Sequence, residues 1–131
     1  MGLSRHPALL YLSTFFSIIF LGFGATYMLY PRVGYSLYGF SNTPSNASEW
    51  TNMENVMVLY GAKDLFIGTA IFASTWFGTR KSAGMILIAG GACAGVDGWV
   101  VKGEAGTGEW NHWGYGSAMV GLGATMMGWV G

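Results

Sequence analysis

The chain has 131 residues, enough for one domain, and only 9% of them are charged, against roughly 25% in a soluble globular protein. Apolar types make up 52% and 22 glycines add to them, so too few polar side chains remain to coat a water-facing surface. The formal net charge is zero, which offers nucleic acid no basic patch, and the one cysteine, Cys93, allows neither an intrachain disulfide nor a thiolate metal cluster.

Arg5 and His6 stand before a long apolar run, as they would in a signal peptide. The run covers 8–30, which is longer than a signal peptide's apolar region and lacks a clear small-residue cleavage site, so it reads as a retained first span. Pro31 closes it. The segment 31–51, rich in Gly, Ser, Asn and Tyr, is the one long polar connection, and Thr51 or Asn52 is placed to cap the next helix. A second span is predicted over 53–78, a tight basic turn over 78–82, a third span over 83–101, a Gly-rich acidic loop over 102–111 and a fourth span over 112–130. A membrane β-barrel would need period-two alternation, whereas Phe15 to Leu21 is almost continuously apolar. Residues 1–131 thus read as a single transmembrane domain, an all-α integral membrane four-helix bundle.

With four spans, Arg5, Arg80 and Lys81 fall on one side, and Arg32 and Lys102 on the other. This excess places both termini in the cytosol and, in a eukaryote, the protein in the endoplasmic reticulum. The sequon Asn46-Ala47-Ser48 then lies on the lumenal side. Pairs of small residues four apart (Gly91 and Gly95, Ala94 and Gly98, Ser117 and Gly121, Ala124 and Gly128) suit close helix packing within the bundle, and leave a homo-oligomer open.

Ionisable side chains inside a bilayer are costly and mark function by default. Glu54, Lys63 and Asp64 lie in the second span, Asp97 in the third, and His112 opens the fourth. The helical rise puts all five in the same half of the membrane. Tyr60 stands one turn before Lys63 and Asp64 and can share a face with them. The plainer reading pairs Lys63 with Asp97 as a structural bridge and leaves Glu54 and His112 solvated near the interface. The six tryptophans mostly sit near span ends, as an aromatic belt would. Two histidines and one cysteine, without His-x-x-x-His or Glu-x-x-His spacing, argue against a metal site. No phosphate loop, nucleophile elbow or dinucleotide fingerprint occurs, so no cofactor is expected.

The segment Tyr60-Gly61-Ala62-Lys63-Asp64-Leu65-Phe66-Ile67-Gly68, followed by Gly95-Val96-Asp97-Gly98 and then His112, resembles the pattern of a small four-span membrane family catalogued as domain of unknown function 4267 and common in fungi and bacteria. That family usually carries Arg where this chain has Lys63, which gives up bidentate geometry. The resemblance implies an accessory role in natural-product pathways.

These features lead to the expectation of a membrane-embedded acid–base enzyme, a cyclase, isomerase or epoxide-opening catalyst, acting on a lipophilic small molecule. Asp64 or Asp97 would serve as acid, the other carboxylate, Glu54 or His112 as base, and Lys63 as electrostatic support. Tyr60, Trp99 and Trp113 would shape the substrate pocket. The rival reading is a non-catalytic lipid-binding, ligand-binding or scaffolding bundle. A small transporter subunit fits less well, because no internal repeat or broken helix is visible.

Overall fold

The computed structural model describes residues 2–130. After a short 3-10 turn at Leu3–Arg5 it is all helical: α1 (Ala8–Leu29), α2 (Pro31–Tyr38), α3 (Ala47–Trp76), α4 (Arg80–Ala105) and α5 (Trp110–Met127). Helices α1, α3 and α4 are long and apolar enough to cross a membrane.

Their outward faces carry Tyr11, Phe15 and Ile18 on α1, Leu59 and Phe66 on α3, and Met85, Val96 and Trp99 on α4, all exposed. Large apolar groups on the outer faces, with glycines where helices meet, are the arrangement expected where lipid, not water, is the solvent. The glycines make this possible. A Cβ on Gly61 would lie 2.7 Å from the carbonyl oxygen of Gly24, and one on Gly24 would lie 2.8 Å from that of Gly61. Gly84 and Gly123 oppose each other in the same way at 2.7 and 2.6 Å, and a Cβ on Gly91 would meet the Gly116 carbonyl at 2.6 Å. Backbones therefore touch within two pairs, α1 with α3 and α4 with α5. Of the small residues singled out from spacing, Gly91 and Gly98 lie in these contacts, whereas a Cβ on Gly95 or Gly121 would meet nothing within 4 Å.

Helix boundaries differ from the sequence expectation at several places, and α4 runs on to Ala105, into the expected 102–111 loop. The polar connection holds a helix of its own. Tyr30 leaves helical geometry (φ −135°, ψ 64°), which ends α1, and Pro31 then starts α2, since its missing N–H costs nothing at a first helical position. Gly39, at φ 102°, ends that helix. Next, α3 starts at Ala47 and not near 53, because Asn46 is the cap: its side chain accepts from the Glu49 N–H. Finally, α4 begins at Arg80, where Thr79 and Ser82 form a capping box, and α5 ends at Met127, where Gly128 turns left-handed at φ 81°.

Two clusters fill the interior. One is mainly aliphatic, built on Ile71, Ala83, Leu87, Met119 and Met126. The other is aromatic, built on Tyr27, Tyr38, Met57 and Val101 with Tyr60 packed against it. The ionisable groups lie at the aromatic end.

Candidate functional site

Helix α2 and the loop after it form a roof over the aromatic end, tied down by polar contacts. Arg32 pairs with Glu54 on α3 and stacks on Trp50 at 4.7 Å. The Glu104 carboxylate accepts from the Ser41 N–H, the Ser41 hydroxyl and the Asn42 N–H at 2.9–3.0 Å. The Nε2–H of His112, on α5, donates to the Tyr38 carbonyl at 3.0 Å. That bond sets the neutral ring's tautomer and leaves Nδ1 as the acceptor, with the Tyr115 hydroxyl 3.5 Å away.

Beneath the roof lies a cavity of about 140 Å³. Its polar lining comes from Tyr27, Tyr38, Tyr60, Asp64, Asn111, His112 and Tyr115, contributed by α1, α2, α3 and α5. The rings enclose it: Tyr60 meets Tyr38 edge-on at 5.0 Å and Tyr27 at 5.7 Å, and the Tyr38 ring lies 5.0 Å from His112.

Asp64 and His112 are buried in this wall, at 5% and 6% exposure. Asp64 Oδ1 lies 3.5 Å from Lys63 Nζ, yet it alone among the described buried side-chain oxygens and nitrogens makes no hydrogen bond. A buried oxygen left in that state is costly unless something binds it. Asp97 differs. It accepts from the Tyr60 hydroxyl, and its Oδ2 lies 3.5 Å from Lys63 Nζ, so its charge is already engaged. Lys63, a third exposed, sits between the two carboxylates with its ammonium 3.6 Å from the Tyr60 ring centroid. The trio holds two carboxylates and one ammonium, so its electroneutral form carries one proton on a carboxylate.

The structure brings Asp64, Asp97, Lys63 and Tyr60 together, and Asp64 and His112 line the same cavity. It does not bring Glu54, Trp99 or Trp113 there. Glu54 is spent on Arg32. Trp99 is 71% exposed and points away from the bundle, because it lies on the outer face of α4. The Trp113 indole donates to the Gly95 carbonyl at 3.0 Å and packs on Gly98, which fixes it between α4 and α5. Tyr27, Tyr38 and Tyr115 are cavity residues that sequence reasoning missed. Tyr115 was within reach of it, standing one turn after His112 on the same face. Tyr38 was hidden by reading 31–51 as a loop. Among the described residues, no three His, Cys, Asp or Glu side chains converge on one point.

The described residues form an all-helical protein in which three helices are long and apolar enough to cross a membrane and carboxylates are buried between helices. The chain matches the family described as Domain of unknown function (DUF4267) over residues 17–126, and it belongs to that family. No curated protein and no solved structure matches it.

Proposed function

We propose that this protein is a membrane-embedded acid–base catalyst that rearranges a lipophilic small molecule. The observation that carries the reading is that buried Asp64, whose Oδ1 makes no hydrogen bond, lines the same aromatic cavity as His112, whose Nδ1 is met only by the Tyr115 hydroxyl at 3.5 Å. Two proton-active groups lining one cavity are what a cyclisation, double-bond isomerisation or epoxide opening requires. Asp64 donates a proton to the substrate oxygen or alkene as one bond breaks. His112 removes a proton from carbon as the new double bond or ring closes. The imidazolium then returns a proton to Asp64 through Tyr115 or water, so no net proton is consumed. Lys63 and Asp97 hold Tyr60 and the local charge in place, and the tyrosine faces steady a developing cation. A cavity this size accepts about one ring, since one of roughly 150 Å³ holds benzene. The reacting fragment is therefore small even if the molecule is not.

In the same reading the whole chain is one transmembrane domain and α5 is the fourth span. Its 18 residues rise about 27 Å, close to the hydrocarbon thickness. The excess of Arg5, Arg80 and Lys81 on one side places both termini in the cytosol, which for a eukaryotic source means the endoplasmic reticulum membrane. A natural-product pathway and a homo-oligomer belong to this proposal as well.

The test uses protein in lipid nanodiscs with a lipophilic β,γ-unsaturated ketone and a polyene epoxide, in D₂O, with products and deuterium content read by mass spectrometry. Asp64→Asn and His112→Gln should each lower turnover by about 10²-fold or more while the protein stays folded. Turnover that survives both changes defeats the proposal. A non-catalytic ligand-binding bundle is the second reading, favoured by the way Asp97 is already paired with Lys63 and Tyr60. Binding without turnover of either compound is its signature.

A further inference from the structure

Helix α2 gives the cavity wall buried Tyr38 and exposed Leu37. A second hollow, about 260 Å³, runs along the outer surface between α1 and α2, lined by Ile18, Ile19, Gly22, Phe23, Thr26 and Leu37. Ile19, Phe23 and Leu37 also line the inner cavity, so the two spaces share one wall. Phe23 and Leu37 are 43% and 56% exposed, and Ile18 is 61% exposed. The groove therefore faces the side on which these helices meet lipid. Its floor is open: a Cβ on Gly22 would meet nothing within 4 Å. Its one hydroxyl, on Thr26, is spent on the Gly22 carbonyl at 2.9 Å. Nothing in the groove asks for a polar partner, whereas the inner cavity is lined by Asp64, whose Oδ1 makes no hydrogen bond.

We propose that the groove between α1 and α2 is the lateral entrance to the cavity, and that the ligand is a single-chain amphiphile whose polar or unsaturated head reaches Asp64 and His112 while its alkyl chain lies along Gly22. Phe23 and Leu37 are the door posts, since both are exposed and both line the cavity and the groove. The chain supplies binding area that the small cavity lacks. The second apolar groove, between α3 and α4 from Lys63 to Cys93, suits the ligand less well: it shares no lining residue with the cavity.

This inference rests on the cavity being a ligand site, and two probes in nanodiscs separate the two claims. One is a short aryl diazirine that fills only the cavity. The other is a dodecyl phenol with a diazirine at the end of its chain. The short probe should label cavity residues such as Tyr38 or Tyr115. The long probe should label 18–26 and Leu37, and a non-photoreactive dodecyl phenol should compete. Gly22→Trp, which fills the groove where there is room for it, should cut long-probe labelling by about tenfold or more and spare the short probe. Leu37→Ala, which widens the entrance, should raise long-probe labelling. Short-probe labelling with the long chain on the α3–α4 groove, or spread as bulk lipid would spread it, overturns the entrance and leaves the cavity standing. No cavity labelling by the short probe overturns both.

Discussion

The two ends of this bundle are built on different physics. At one end Ile71, Leu87 and Met119 are fully buried and aliphatic, and the few polar groups pair off locally: Ser13 with Thr75 at 2.7 Å, Ser17 with the Gly68 carbonyl at 2.8 Å. At the other end tyrosines, two carboxylates, a lysine and a histidine occupy the interior, and one carboxylate oxygen has no hydrogen bond. Lipid gives helices no hydrophobic reason to associate, so the aliphatic end depends on close packing alone. The aromatic end gives up some of that packing for a cavity. The contrast separates what holds the protein together from what it does, and each half can be broken without the other.

The largest effect should come from the backbone contacts that run through both ends. Gly61→Leu drives a side chain into the Gly24 carbonyl, where even a Cβ would sit 2.7 Å away. Overpacking of that kind costs roughly 1–3 kcal/mol where neighbours can yield, and a backbone cannot, so about 3 kcal/mol or more is expected. Size-exclusion chromatography in detergent should show loss of the folded monodisperse peak. Gly95→Ala is the control: it sits in a Gly-rich stretch of α4 but opens on free space, and should behave as wild type.

Much of this architecture can be read from the residues, for a physical reason. Charges are so costly in lipid that Lys63, Asp64 and Asp97 stand out in otherwise apolar runs, and helix periodicity then places Tyr60 beside them. What escapes such reading depends on neighbours. Nothing local distinguishes Trp113, fixed between two helices, from Trp99, pointing outward. Glu54 looked like a membrane carboxylate only because Arg32 was not known to reach it across the turn from α2. The Pro31–Tyr38 helix is polar and short enough to pass for loop, and with it went Tyr38 and the roof of the cavity. Glycine spacing signalled close packing, but only the packed partner decides which of Gly91, Gly95, Gly98 and Gly121 is used.

The next effect sharpens the contrast between stability and function. Leu87→Ala, at the aliphatic end, should cost about 2 kcal/mol, the low end for Leu→Ala, because unfolding within a membrane exposes the side chain to lipid and mainly the cavity term remains. Asp64→Asn, at the aromatic end, should cost less than about 1 kcal/mol, since its Oδ1 gives up no hydrogen bond. Thermal unfolding followed by circular dichroism in one detergent should therefore rank Leu87→Ala well below Asp64→Asn. The reverse ranking would mean that Asp64 is a structural carboxylate after all, held by Lys63.

The smallest effect concerns pH at the rim of the aromatic end. Glu109 precedes α5 and accepts from Lys102 Nζ at 2.9 Å. That hydrogen bond, more than any other influence, holds its carboxyl below the usual glutamate range. A depressed folded-state value means that the bridge stabilises the native state above the unfolded glutamate pKa, about 4.3. The contribution is lost as pH falls through the folded-state value. The Lys102 side chain is half-exposed, so the effect is screened and local, and global melting should hardly register it. Amide exchange in the turn 103–111, corrected for the intrinsic pH dependence of exchange, should rise between pH 6 and pH 3 in the wild-type protein, while exchange around Leu87 stays constant. Glu109→Gln should show the faster turn exchange already at pH 6 and little further change on acidification. An equal acid response in both proteins would assign the loosening to another carboxylate of the rim and remove Glu109 from the fastening of α5 to α4.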